Sequence, residues 1–168
     1  MIKKAPLFLL AANILLLVAG WIMAIYAYPR LPLKIPLWIN FFNQRTLYGQ
    51  KSLLFFIYPL AQTLFFFSFW LVSRIKFKEL RDVKLLVGAI DNLSENKRSL
   101  LIKIRQEFIY LVLIFFNLIF IHLQRSLILV AHRIEKGISS YYFYSLFGII
   151  LILIPYYRIR MKLVMKKR

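Results

Sequence analysis

An all-α membrane protein is the architecture expected from this sequence: a four-transmembrane-helix bundle with an amphipathic cytoplasmic helix and a Pro-rich outer loop. Composition, run length and charge placement lead to it. Hydrophobic residues make up 61% of the 168 positions, and the mean hydropathy is +0.70. That is more apolar surface than a soluble core of this size encloses. The apolar residues fall into four long runs. The 24 Lys and Arg residues collect between those runs and at both ends, where cations meet lipid head groups.

Residues 5 to 28 carry no charge and give the first span. As a helix it is about 36 Å long, against a hydrocarbon core of about 30 Å. Lys3 and Lys4 before an apolar run also fit a signal peptide. The run is too long for one, however, and ends in Ile25-Tyr26-Ala27-Tyr28 without a small-residue cleavage pattern, so it is expected to stay in place. Pro29, Pro32 and Pro36 then remove backbone donors and prevent a regular helix, which makes a loop reaching to Lys51.

The second span, residues 52 to 73, is rich in Phe and carries Pro59 near its outer end, where lipid-embedded helices tolerate a kink. From Arg74 to Arg105 nine cations face Glu79, Asp82, Asp91 and Glu95, while Phe77, Leu80, Val83, Val87 and Ile90 recur at helical spacing. An amphipathic helix follows, either lying on the cytoplasmic membrane surface or packed on the inner ends of the bundle. Asn92 or Ser94 is positioned to cap a new helix.

The third span covers residues 107 to 127, and its helix is expected to project to about His132, with Gly137 as the stop. Arg125 lies about 27 Å along that helix from Glu107 and so reaches the opposite head-group boundary. Residues 139 to 157 form the fourth span, opened by Tyr141, Tyr142 and Tyr144 and closed by Tyr156 and Tyr157 as interfacial belts. With no internal repeat, residues 1–168 read as a single membrane domain. Seventeen Lys and Arg fall on the side of the termini and seven on the other, which places both termini in the cytoplasm.

Apolar side chains gain little by leaving acyl tails for one another, so small residues and polar contacts have to pair the helices. In the first span Asn13, Gly20, Ala24 and Ala27 share one face, and Gly20-x-x-x-Ala24 is a small-xxx-small pair. Gln62 in the second span and Asn117 in the third sit at comparable depth, while the fourth supplies Gly148 and Pro155. An amide facing lipid leaves its donors and acceptors bare, so Asn13, Gln62 and Asn117 are expected to point inward as an intramembrane polar cluster. The plainer alternative is that they serve only as helix glue.

The formal charge of +18 and the basic gaps could suggest nucleic acid, yet their position at span ends assigns them to the bilayer. No nucleic-acid partner is expected. The chain has no Cys, two His and six acidic residues, with no nucleophile, carboxylate pair or phosphate cradle at usable spacing. No enzyme, cofactor or metal site is therefore expected. His132-x-x-Glu135 offers two ligands at most and reads as solvated surface, and His122 with Arg125 reads as boundary groups. Only amides and hydroxyls fall near the midplane, which leaves a small transporter or an accessory subunit of a membrane complex as the second possibility.

The first outer loop reads Tyr28-Pro29-Arg30-Leu31-Pro32-Leu33-Lys34-Ile35-Pro36-Leu37-Trp38-Ile39-Asn40, with Tyr48-Gly49-Gln50-Lys51 at its close. Over about residues 15 to 65 it resembles the prokaryotic membrane-protein family known as domain of unknown function 1648, which includes SdpI-type toxin-immunity and signalling proteins. The family pattern there is LP-x-x-IP-x-H-x-N, a Gly-containing turn, then G-x-K. Leu31, Pro32, Ile35, Pro36, Asn40, Gly49 and Lys51 match it. Trp38 stands where the family has His, Asn43 where it has Gly, and Thr46 where an acid is common. The resemblance implies a prokaryotic cytoplasmic membrane and a sensing or immunity role. The loop itself, with four cations and no acid, reads either as an outer surface that meets a membrane-protein partner, a peptide or anionic lipid, or as a lid that only shapes the bundle. The departure at Trp38 removes the imidazole from this loop. Physically, the prolines favour extended chain, Trp38, Phe41, Phe42 and Tyr48 suit the interface, and Lys51 is placed to cap the second span by snorkelling.

Overall fold

The computed structural model describes residues 5–36, 48–74, 94–135 and 140–166. Four helices account for most of them: α1 (Ala5–Ala27), α2 (Ile57–Arg74), α3 (Glu95–Ala131) and α4 (Ser140–Lys166). Two strands, β1 (Lys34–Pro36) and β2 (Tyr48–Gln50), pair antiparallel between α1 and α2, with Ile35 opposite Gly49. Among the described residues, three helical segments are long and apolar enough to cross a membrane: Ala5–Arg30, Leu53–Arg74 and Glu95–Ala131.

The chain is packed inside out. Asn13, Gln62, Asn117, Gln124 and Ser126 are fully buried, whereas Leu7, Phe8 and Leu15 are each at least 70% exposed. Water would penalise both halves of that distribution; a hydrocarbon solvent favours both, because it wets Leu and Phe and forces amides to find partners within the protein.

The helices follow one another up and down. Leu16 O accepts from Gln62 Nε2 at 3.2 Å, Trp21 Nε1 donates to Thr63 Oγ1 at 3.0 Å while the Trp21 ring stacks on Phe56, and Tyr28 packs on Phe56, so α2 runs antiparallel to α1. Phe65 meets Phe116 and Phe120, and Phe69 meets Phe116, which zips α2 to α3 in the opposite sense. On α4, Tyr142 stacks on His122 with centroids 3.9 Å apart and Tyr157 packs on Phe108. α1 and α3 are consequently parallel and form the centre of the bundle.

Several expectations change in detail. The third span is part of one 37-residue helix, about 55 Å long, that begins just after Ser94 and ends one residue before His132. Residues 95 to 105 are the first turns of this helix, which starts after Ser94, one of the two expected start positions, and runs into the span, and Leu101 and Ile104 bury themselves in the bundle. The positions Phe77, Leu80, Val83, Val87 and Ile90, and the stop expected at Gly137, lie outside the described residues.

Pro59 lies in the first turn of α2 after a 3₁₀ turn, Leu53–Phe56. Its missing N–H is one that a helix start leaves unpaired in any case, so it opens the helix rather than kinking it. Tyr157 is buried against α3 instead of standing in an interfacial belt. Gly148 has open space where a Cβ would be and Pro155 is exposed, so neither brings α4 close to a neighbour.

Candidate functional site

Two regions gather the polar side chains. The first is a ladder of amides along the contact of α1, α2 and α3. On α1 the residues Pro6, Asn13, Gly20 and Ala27 are all buried, and on α3 so are Tyr110, Asn117, Gln124 and Ala131. Both sets recur every seven residues, the period that keeps one seam facing its partner in a left-handed supercoil.

The rungs match in register. Asn117 Nδ2 donates to Asn13 Oδ1 at 2.8 Å across a separation of 104 residues. Gln124 Nε2 donates to Gly20 O at 3.3 Å across the same separation, and Ala27 and Ala131 share one apolar cluster. Asn13 is fully used: its amide N–H groups reach Leu9 O at 2.8 Å and Tyr110 O at 2.9 Å. The structure therefore brings Asn13 and Asn117 into direct contact.

Gln62 takes a different partner. Its Nε2 donates to Leu16 O at 3.2 Å, and its Oε1 fills the notch at Gly20, where an added Cβ would stand only 2.3 Å away. A glycine is needed because the amide oxygen occupies the side-chain position and meets a Cα–H instead. The small residue of Gly20-x-x-x-Ala24 thus admits a polar side chain from α2 rather than a second backbone. Gln124, which sequence reading left out of the polar cluster, belongs to this ladder; its place seven residues after Asn117 was the available signal.

Toward the chain termini the ladder continues in hydroxyls and charges. Tyr110 Oη and Ser73 Oγ lie 3.0 Å apart. Arg105 donates to Val72 O at 2.8 Å, which brings a cation to the C-terminal carbonyls of α2, the negative end of its dipole. Arg160 of α4 donates to the buried Glu107 carboxylate at 2.7 Å. Neither the Arg160 nor the Tyr110 connection was visible beforehand, since each joins helices whose relative register only the fold supplies.

The second region is the far end of the bundle. A two-stranded ribbon is marginal by itself, and here three fastenings hold it. Leu31, Ile35 and Phe55 pack with Ala24, Ala27, Leu127 and Ala131. Lys51 continues the ribbon through its N–H to Leu33 O at 2.8 Å, and its Nζ donates to Pro29 O at 3.3 Å and Leu31 O at 3.4 Å over the Tyr28 ring. His132 ring nitrogens lie 2.8 Å from Ile128 O and 3.2 Å from Arg30 O.

Lys51 thereby ties the end of the first span instead of capping the second. Of the loop motif, Leu31, Ile35 and Pro36 are buried, Gly49 and Lys51 are half-buried and Pro32 is exposed. Trp38 and Asn40 lie outside the described residues, as do Phe41, Phe42, Asn43 and Thr46.

After Ala131 the helix closes with paired bonds, Ile134 N–H to Leu129 O at 2.9 Å and Arg133 N–H to Val130 O at 3.0 Å. This is a Schellman cap, in which the residue at the position of Arg133 adopts a left-handed conformation and is usually glycine. Arg133 has φ 60°, at a backbone cost of about 1 kcal/mol relative to glycine. Between this cap and the ribbon lies a cleft of about 760 Å³ lined by Pro32, Lys34, Tyr48, Ala131, Arg133 and Glu135.

Fold and site together define a helical membrane protein whose polar groups are gathered inside the bundle and at one end. The chain matches no protein-family model, no curated protein and no solved structure.

Proposed function

We propose that this chain is a multi-pass, non-enzymatic protein of a prokaryotic cytoplasmic membrane that recognises a partner or peptide through its ribbon end. In this reading α4 is the fourth span and both termini are cytoplasmic, so the ribbon faces outward. The observation that carries it is the fastening of the ribbon: Lys51 Nζ and His132 Nε2 face carbonyls of the loop, Pro29, Leu31 and Arg30, leaving Lys34, Tyr48, Arg133 and Glu135 around an open cleft. A loop held this firmly by a rigid scaffold is the usual setting of a recognition surface. The likeness of Leu31 to Lys51 to domain of unknown function 1648 adds sensing or toxin immunity as the kind of role.

The test is copurification from native membranes of the full chain and of a variant with residues 37–47 replaced by a Gly-Ser linker. Loss of a stoichiometric membrane partner, or of a resistance phenotype, is expected. Retention of both by the variant overturns the reading. Labelling of Lys34→Cys from outside whole cells checks the orientation.

A second reading, a small transporter or accessory subunit, has one observation in its favour. Gln62 Oε1, Asn117 Oδ1 and Gln124 Oε1 are buried acceptors without a hydrogen-bond donor, the kind of group that could line a path for a solute. Flux into proteoliposomes that is abolished by Gln62→Leu would favour it.

A further inference from the structure

Among the described residues, Arg30 and Lys51 are held by their own chain. Arg30 donates to Tyr26 O at 2.7 Å and lies over the Tyr26 ring, and Lys51 holds Pro29 and Leu31. Lys34 and Arg133 differ. They line one cleft with Glu135, and among the described residues neither forms an ion pair with it. Two cations and a carboxylate therefore surround the same space without neutralising one another. Arg133 also holds its place at a backbone position suited to glycine, and strain of this kind persists where a side chain is needed for something other than the fold.

The depth of the cleft identifies what can reach it. The three apolar segments end on this side at Arg30, Leu53 and Ala131, and Ala131 is itself part of the cleft wall. A site at that level meets lipid head groups. We propose that the cleft seats the head group of an aminophospholipid, with its phosphate between Lys34 and Arg133, its ammonium at Glu135, and the Tyr48 hydroxyl donating to a phosphate oxygen. Guanidinium and ammonium groups bind a phosphodiester through charge-assisted hydrogen bonds, and a carboxylate prefers a primary ammonium, which can donate, over a quaternary one, which cannot.

This inference deepens the proposed recognition role of the ribbon end and rests on it. It is tested by native mass spectrometry of the full chain released from nanodiscs containing equal parts phosphatidylethanolamine, phosphatidylglycerol and phosphatidylcholine. Wild type is expected to retain phosphatidylethanolamine over phosphatidylcholine. Lys34→Gln and Arg133→Gly are each expected to weaken that retention by about tenfold, and Glu135→Gln to erase the preference over phosphatidylcholine.

Arg133→Gly is the decisive variant, because it relieves the backbone while removing the guanidinium: the unfolding midpoint should not fall although the lipid is lost. Undiminished retention in Arg133→Gly, or equal retention of phosphatidylcholine by wild type, overturns the proposal. Displacement of the lipid by millimolar inorganic phosphate would make free phosphate the ligand and overturn the lipid assignment. Replacement of residues 37–47 leaves every named cleft residue in place, so failure of partner binding and failure of lipid binding are read separately.

Discussion

Gly20→Ala measures how tightly the amide ladder is built. The new Cβ would stand 2.3 Å from Gln62 Oε1, 3.2 Å from Cδ and 3.4 Å from Nε2. The oxygen must retreat by about 1 Å to restore ordinary contact. Gln62 is fully buried and its Nε2 is committed to Leu16 O, so the amide cannot swing away without breaking that bond. A lost buried hydrogen bond costs about 1 to 2 kcal/mol, and overpacking about 1 to 3 kcal/mol. Alanine returns up to about 1 kcal/mol through helix propensity. The net expectation is a destabilisation of about 2 kcal/mol.

Reversible unfolding in bicelles, followed by steric trapping, gives the number. Two further variants give the cause. Gly148 has nothing within 4 Å of its would-be Cβ, so Gly148→Ala should be neutral or stabilising. In a Gln62→Ala background the obstacle is gone, and Gly20→Ala should become neutral, a coupling of about 2 kcal/mol. A stabilising Gly20→Ala, or one whose effect simply adds to that of Gln62→Ala, would refute the notch.

Four other substitutions probe the remaining fastenings. Asn117→Leu strips Asn13 Oδ1 of its donor and should destabilise the bundle by about 1 kcal/mol, measured by the same unfolding; wild-type stability would show that the rung contributes nothing. Arg160→Met leaves the buried Glu107 carboxylate unpaired and should cost about 2 to 3 kcal/mol, whereas Glu107→Gln, which still accepts from Arg160, should cost less than half of that; equal losses would contradict the pairing. Lys51→Met removes the donor to Pro29 O and Leu31 O, and hydrogen exchange at Leu31 and Ile35 should accelerate several-fold while α1 and α3 amides keep their protection.

The spans were legible because lipid imposes a one-dimensional rule: a helix must keep charges out for about twenty residues. The same solvent made Asn13, Gln62 and Asn117 stand out, since each is a polar group in an apolar run, and all three are buried. What the runs did not reveal was partner choice. Gln62 meets Leu16 and Gly20 instead of another amide, a consequence of how α2 rotates about its axis. The start of α3 was legible at Ser94, and residues 95 to 105 keep their charges because a helix longer than the hydrocarbon core can carry them beyond it. Arg133 was unreadable as a cap, because the Schellman position signals itself only when glycine fills it.

The constant separation of 104 residues between α1 and α3 links the two regions. Sliding α3 by one heptad toward its N-terminus would set Gln124 against Asn13 and Ala131 against Gly20, leaving Asn117 without its partner on α1 and the Gly20 carbonyl without its donor. Each rung therefore specifies the same register, and mismatched registers expose amides that lipid cannot satisfy. That register also sets where α3 ends. Ala131 arrives beside Ala27, His132 reaches Arg30 O, and Arg133 and Glu135 complete the cleft begun by Pro32 and Lys34. A slip of seven residues moves the end of α3 by about 10 Å, which would carry Arg133 away from the ribbon altogether. The buried amides thus position the surface charges: a variant that loosens the Asn13–Asn117 rung should broaden the distance between spin labels at Lys34 and Arg133, while one that loosens only the Arg160–Glu107 pair should leave that distance unchanged.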